Sequence, residues 1–284
     1  MENKKIPAKL YLCATPIGNL EDITLRALKV LKSVEILACE DTRNTQKLLN
    51  HYEITGKKLI SYHEHNEEKT SEKIISYLEE GREVALVTDA GMPCISDPGY
   101  ILVEKIKKAG LPITTLPGAN AGLTALVASG IESYNYTFYG FLPRKSKDLK
   151  LKLEEILKMN ITSILYESPY RVKNLVEEIS KISPTRKISV ARELTKMFEQ
   201  IETSSAEEIL EMLGNKIKEK GEFVVIISPN KDEKSEEVNV DELVELIYQK
   251  VKSGVKKYEA IKNIAKEFGI NKKEVYSLYH EKYD

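Results

Sequence analysis

This sequence predicts two α/β domains followed by a small C-terminal helical domain of helix-turn-helix type. Three observations carry that prediction. Through residues 1–117 short apolar runs alternate with amphipathic stretches, the signature of βαβ units on a mostly parallel sheet. Pro117-Gly118 punctuates the pattern, and a second series of strands and helices runs over 118–228. Residues 229–239 then lose apolar periodicity and read as a linker, before amphipathic stretches resume over 240–284.

In the first domain, strands are expected over 10–14, 34–39, 59–62 and 83–88. Ile23, Ala27, Leu28 and Leu31 share one face of a helix over 23–31. Helices over 71–80 and 99–109 are each followed by a glycine, Gly81 and Gly110, the residue that most readily ends a helix. In the second domain, strands are expected over 136–140, 161–166, 188–191 and 223–227, with helices over 121–129, 147–158, 171–182 and 206–220. Their order in the sheet is not legible. In the tail, helices over 240–253 and 257–268 lead to a turn at Gly269. Asn271 then caps a third helix, with Glu274 completing a capping box.

The 284 residues carry 43 Lys and Arg against 44 Asp and Glu, a formal net charge of −1. A protein that coats nucleic acid would be strongly basic, so any RNA contact must come from local patches. Cys13, Cys39 and Cys94 follow no metal-ligand spacing. An odd count with no apolar leader after Met1 fits small core side chains in a reducing cytoplasm. No run approaches the roughly 18 apolar residues of a membrane span, so a soluble cytoplasmic protein without membrane contact is expected.

Thr15-Pro16-Ile17-Gly18-Asn19 directly follows the first strand. A tight loop at the carboxyl end of a strand is where α/β sheets bind ligands. A plain turn capped by Asn19 would account for it equally well. Neither GxGxxG nor GxxxxGK occurs, which sets aside dinucleotide and nucleoside-triphosphate sites of those types. The eleven residues 89–99 hold two aspartates, two prolines and two glycines. They read as a rigid loop whose backbone can approach a ligand, with Asp89 and Asp97 as acceptors for a ribose or an amino group. Pro117-Gly118-Ala119-Asn120-Ala121 lies at the domain crossing and reads either as a ligand contact or as a hinge. His63 and His65 share a strand face, but with Glu64 they make an incomplete zinc set, so no metal is expected.

Further stretches join these: LYLCATPIGNLEDITL at 10–25, ACEDTR at 38–43, YHEHN at 62–66, VTDAGMPCISDPGY at 87–100, LPGANA at 116–121, GFLPRK at 140–145, YESPYR at 166–171, ARELTK at 191–196 and GEFVV at 221–225. In that order they resemble the tetrapyrrole methylase superfamily, and within it the branch of small-subunit ribosomal RNA methyltransferases. Residues 92–95 depart from the family's usual Thr-Pro and larger aliphatic, and Asn120 from its usual Ser. The resemblance implies a class III methyltransferase fold, two α/β domains clasping S-adenosylmethionine in the cleft between them, and a homodimer. Carried over residue by residue, it puts the cofactor against Pro16, Asp89, Gly91, Met92, Ser96, Gly118 and Ala119. From the second domain it adds Tyr166, Ala191 and the backbone of Glu222 and Phe223. It implies methylation of the ribose 2′-hydroxyl of a decoding-centre cytidine in 16S ribosomal RNA, with the RNA or the 30S subunit as partner.

A ribose hydroxyl is a weak nucleophile at neutral pH, so a placed base would help by about 10²–10⁴-fold. Glu40 and Asp41, just past a strand end, are the leading candidates, because neighbouring carboxylates raise one another's pKa. The competing reading has them cap a helix starting at Thr42 or pair with Arg43. His63, Glu64 and Glu193 are further candidates. Arg43, Arg144, Lys145, Arg171, Arg192 and Lys196 fall within the matching stretches and are candidate contacts for RNA phosphates, against the alternative of ordinary ion pairs. Residues 240–284 hold nine lysines against eight acids. They could grip RNA, with Tyr276, Tyr279 and Tyr283 stacking on bases, or simply form a bundle with Tyr279 in its core. Two rival functions share parts of the sequence: methyl transfer to a corrin or porphyrin precursor on the same fold, and non-enzymatic nucleic-acid binding by the tail.

Overall fold

The computed structural model describes residues 8–231, 240–267 and 272–283. The chain divides into two compact units, Met1–Pro229 and Asn230–Asp284. The boundary expected at 117/118 falls inside the first unit, between two five-stranded sheets.

The first sheet is built from β1 (Leu10–Cys13), β2 (Ile36–Cys39), β3 (Lys58–Ser61), β4 (Val84–Val87) and β5 (Ile113–Leu116). Every pairing is parallel, in the order β3-β2-β4-β1-β5. Parallel strands are covered on both faces, which is why β2 (ILAC) and β4 (VALV) are apolar throughout and fully buried. Alternate residues divide between two cores. Leu12, Ala38 and Leu86 pack with Ile74 and Leu78 of α3 (Glu67–Glu79) and Leu102 and Ile106 of α4 (Tyr100–Lys108). Cys13, Leu37, Cys39 and Val87 pack with Ala27 and Leu31 of α1 (Leu25–Ser33) and Leu49 of α2 (Thr42–His51). Thr24 caps α1, its hydroxyl accepting from the Ala27 amide at 3.0 Å, so the helix starts two residues later than periodicity alone places it. Burial pushes the Cys13 thiol up to about 12, as suits a core side chain.

The second sheet holds β6 (Tyr136–Phe141), β7 (Thr162–Glu167), β8 (Lys187–Arg192), β9 (Gln200–Ser205) and β10 (Phe223–Ile227), in the order β6-β7-β10-β8-β9. Only β6 and β7 run parallel. One face is covered by α6 (Ser146–Lys158), α7 (Val172–Ile182) and α8 (Ala206–Met212). The other meets α5 (Ala121–Ala128), where Ala125 and Leu126 pack with Ile164, Ala191 and Val224, and with Ile17 from the first lobe. The helix expected over 206–220 opens with a capping box between Ser205 and Glu208 but ends at Met212. Gly214, at φ +84°, turns the chain so that Leu213 bridges Ile217.

In the second unit, α9 (Val240–Lys252), α10 (Lys257–Glu267) and α11 (Lys272–Tyr283) surround Leu243, Val244, Ile247, Ile261, Ile264, Val275 and Tyr279. Tyr279 is therefore core and offers no face to a base. Tyr283 is half-buried and stacked on Tyr248 at 4.2 Å, leaving Tyr276 as the exposed ring of the three named. Most of the expected linker (232–239), the turn at Gly269 and the Asn271 cap lie outside the described residues. Among those described, no helix is long and apolar enough to cross a membrane.

Candidate active site

Two strand ends of the first sheet supply the site. The loop after β1 and the loop after β4 are locked together by a pair of backbone bonds, Thr15 N to Gly91 O (2.9 Å) and Gly91 N to Thr15 O (3.0 Å). The Thr15 hydroxyl adds a bond to Thr88 O at 3.0 Å. The 89–99 loop is strained as its composition suggests. Gly91 and Gly99 have positive φ, and so do Cys94 (+70°) and Ser96 (+65°), where a side chain makes that conformation costly. The Glu67 carboxylate anchors the end of the loop by accepting from the Gly99 amide at 2.9 Å. Strain held this way concentrates at ligand sites.

Beside this loop, between the two lobes, lies a cavity of about 430 Å³. Its apolar wall includes Ile17, Met92, Ile95, Phe223 and Val224; the second lobe also contributes Phe141, Tyr166 and Glu167 to the lining. Of the eleven residues expected to hold a cofactor, Asp89, Gly91, Met92, Ser96, Tyr166, Glu222 and Phe223 line it. The other four do not. Pro16 lines an adjoining pocket of about 250 Å³ that shares Asp89 as a wall. Gly118 is pressed against β1, where a Cβ would fall 2.5 Å from the Ala14 side chain, so its glycine serves close packing of the crossover. Ala119 and Ala191 pack in the cluster of Ile164 and Val224, and Ala191 is buried within β8.

Among the described residues, five carboxylates line the cavity and no Lys or Arg does. Glu222 is paired with Lys196 (3.0 Å) and the buried Glu167 with Arg171 (3.3 Å). Glu40, Asp89 and Asp97 have no ion-pair partner among the described residues. Asp89 instead accepts from the Asp41 amide (3.2 Å) and the Asn44 side chain (2.8 Å), which fixes its carboxylate. Burial, then the charge of Asp89, raises the pKa of Glu40. Burial, then the charges of Glu40 and Asp89, pushes Asp97 up to about 7.

The structure parts the expected pair. Asp41 is the N-cap of α2, accepting from the Arg43 amide at 2.8 Å, and its carboxylate is bonded to the Arg43 guanidinium at 2.8 and 3.2 Å. Those bonds hold it down at about 2, and it does not line the cavity, so the capping reading replaces the proton-acceptor one. From sequence, Asp97 is only a ligand acceptor. Its place beside Glu40 depends on the loop fold, which no local pattern announces.

The six cations separate too. Arg192 is buried, its guanidinium donating to Lys220 O (3.2 and 3.0 Å) and Phe198 O (3.4 Å), so it cannot reach a phosphate. Arg171 is bound to Glu167, Leu142 O and Pro143 O. Lys196 bridges Glu193 and Glu222 while its stem presses on Gly18. These three hold the protein together. Arg43, Arg144 and Lys145 are exposed. His63 and His65 sit edge-on at 5.9 Å, and among the described residues no three His, Cys, Asp or Glu side chains group as metal ligands.

Residues 9–210 match the model of the family described as Tetrapyrrole (Corrin/Porphyrin) Methylases. A curated relative in Halalkalibacterium halodurans, named ribosomal RNA small subunit methyltransferase I, is 45% identical over 96% of this chain and 94% of its own. A relative of the same name in Hydrogenobaculum sp. is 47% identical over 95% of its own length and 78% of this chain. Among solved structures, cobalt precorrin-4 methyltransferase, a cobalamin biosynthetic enzyme, aligns with a TM-score of 0.57 at 19% identity, covering 78% of this chain and 94% of its own.

Proposed function

The chain belongs to the tetrapyrrole methylase family, and on that premise we propose that it methylates small-subunit ribosomal RNA with S-adenosylmethionine, at the ribose 2′-hydroxyl of a decoding-centre cytidine. The observation that carries the choice of substrate is kinship over nearly the whole chain with relatives named for that RNA. The likeness to a corrin enzyme is at 19% identity and speaks for the fold alone. The cofactor fits the cavity on its own terms. A sulfonium and an ammonium carry positive charge, and Glu40, Asp89 and Asp97 face the same apolar space without ion-pair partners.

When bound, S-adenosylmethionine supplies an activated methyl group on sulfur. The chain's main task is to hold the acceptor oxygen in line with that carbon, an effective-molarity gain of up to roughly 7–11 kcal/mol. Ile17, Met92, Ile95 and Phe223 exclude water from the site. As the oxygen–carbon bond would form and the methyl–sulfur bond break, releasing a neutral thioether, the hydroxyl proton would pass to the Glu40 carboxylate, whose pKa burial and the charge of Asp89 raise. Arg43, Arg144 and Lys145 meet the RNA backbone. The protein works in the cytoplasm as a homodimer, for which the exposed Val127, Met197 and Phe198 offer apolar contact area.

The test is transfer of labelled methyl from S-adenosylmethionine to 30S subunits from cells lacking the gene, followed by digestion to nucleosides. Label on the ribose of one cytidine is expected. Label on a tetrapyrrole acceptor with unlabelled ribosomal RNA would overturn the proposal. Sedimentation velocity checks the dimer.

A further inference from the structure

Phe141 is left over by the chemistry above. It ends β6, lines the cavity and is 59% exposed. Its aim is set by a bulge. β6 and β7 pair with Phe138 opposite Ile164, then the register shifts so that Gly140 faces Leu165 and Phe141 faces Tyr166. In a regular strand Phe138 and Phe141, three residues apart, would point to opposite faces; Tyr139 is the extra residue of the bulge. With it, both rings stand against Tyr166 on the cleft side, at centroid distances of 5.0 and 5.9 Å. Tyr139 turns to the far face and donates to the Met159 sulfur at 3.1 Å. Gly140 makes the bulge possible: its φ is +63°, and a Cβ there would stand 3.0 Å from the Ser96 hydroxyl on the opposite lobe. A left-handed glycine and a broken ladder thus hold one aromatic face open beside the strained loop. Arg144 and Lys145, both exposed, follow three and four residues on.

We propose that Phe141 is the plate on which the base of the acceptor nucleotide stacks, with Arg144 and Lys145 taking the flanking phosphates. The ligand class is an unpaired nucleotide within RNA, and the proposal rests on the function inferred above. Proteins that read single-stranded RNA pair an aromatic face for the base with basic side chains for the backbone. Phe141 is a positioning residue at the edge of the cavity: its stack is made equally in the bound complex and in the transition state, so it contributes affinity for the nucleotide more than turnover.

Steady-state methylation of unmodified 30S subunits by the full chain tests this. Phe141→Ala should raise KM for the subunit about tenfold, within the range that one base–aromatic stack supports, while kcat changes less than about threefold. Binding of S-adenosylhomocysteine, measured by calorimetry, should be unchanged, and Phe141→Tyr should restore KM. An unchanged KM overturns the plate. So does a loss of S-adenosylhomocysteine affinity that matches the loss of activity, because Phe141 would then wall the donor. If the unsubstituted chain transfers no methyl to the subunit, the function inferred above falls. Fluorescence anisotropy with a single-stranded cytidine-rich RNA then decides the plate separately: Phe141→Ala must weaken binding about tenfold, and equal binding overturns it.

Discussion

The two lobes of the body meet one cavity with different materials. The first presents Glu40, Asp89 and Asp97 at the ends of parallel strands, on or beside a loop with four left-handed residues, and none of the three has an ion-pair partner among the described residues. The second presents Glu167 and Glu222 and sets a cation beside each: Arg171 stands 3.3 Å from Glu167, whose Oε2 has no hydrogen bond among the described residues, and Lys196 is shared between Glu222 and Glu193. An unpaired carboxylate against apolar walls disfavours the folded state, whereas a paired one is neutral scaffold. The difference separates chemistry from support. On the proposed function, charge left uncompensated belongs to the lobe that would receive a cation and a proton. Charge that is matched belongs to the lobe that shapes the opening.

The largest expected effect comes from removing a charge on the first lobe. Glu40→Gln keeps the shape of the side chain and takes away its ability to accept a proton, so kcat should fall by about 10²–10⁴-fold. Affinity for S-adenosylhomocysteine, which lacks the sulfonium charge, should fall far less than kcat, read by calorimetry. Unchanged kcat with lost affinity would turn the first lobe into a second scaffold and erase the contrast. Next in size is a broken pair on the second lobe. Arg171→Met strands the buried Glu167 and frees Leu142 O and Pro143 O. Breaking a buried pair costs about 3–5 kcal/mol, and the low end applies because Arg171 is a quarter exposed. Urea unfolding should report that loss, while kcat per folded molecule should change little.

How much of this contrast was legible in the sequence follows from the range of the forces. The parallel sheet was legible because β2 and β4 are apolar at every position. α2 was legible only as the alternative in which Glu40 and Asp41 cap a helix at Thr42, because of its ten residues only Thr45 and Leu49 are buried and Leu48 is the one other apolar side chain. β9 (QIETSS) was hidden for the same reason, as a half-exposed edge strand. The 89–99 loop announced itself by composition, and most residues carried over to the cavity from the family resemblance do line it. What pattern could not give was partnership across the fold. Arg192 and Arg171 look like phosphate contacts until carbonyls more than twenty residues away claim them. Asp41 looks like a base until it caps a helix the periodicity did not show. Asp97 gains its character only where the loop brings it to Glu40 and Asp89.

The smallest effect gives the sharpest reading of the first lobe, because its sign reverses the usual consequence of a mutation. Asp97 is held near 7, above its ordinary value of 3.8, so the folded state binds that proton more tightly than the unfolded chain does. The stability this contributes is complete below about pH 4 and is lost as pH rises through 7. At pH 8 the native protein carries a half-buried carboxylate that its surroundings disfavour. Asp97→Asn keeps the shape without the charge, so it should melt above the parent at pH 8, by roughly 2–4 °C for each kcal/mol relieved. The gap should close by pH 4, where both side chains are neutral. Added S-adenosylmethionine should narrow it at pH 8 as well, because the bound cation gives the parent's carboxylate the partner it lacks. Scanning calorimetry at the two pH values, with and without the cofactor, reads all four conditions. A variant less stable than the parent at pH 8 would mean that Asp97 is matched like Glu167 and Glu222, and the two lobes would then be built alike.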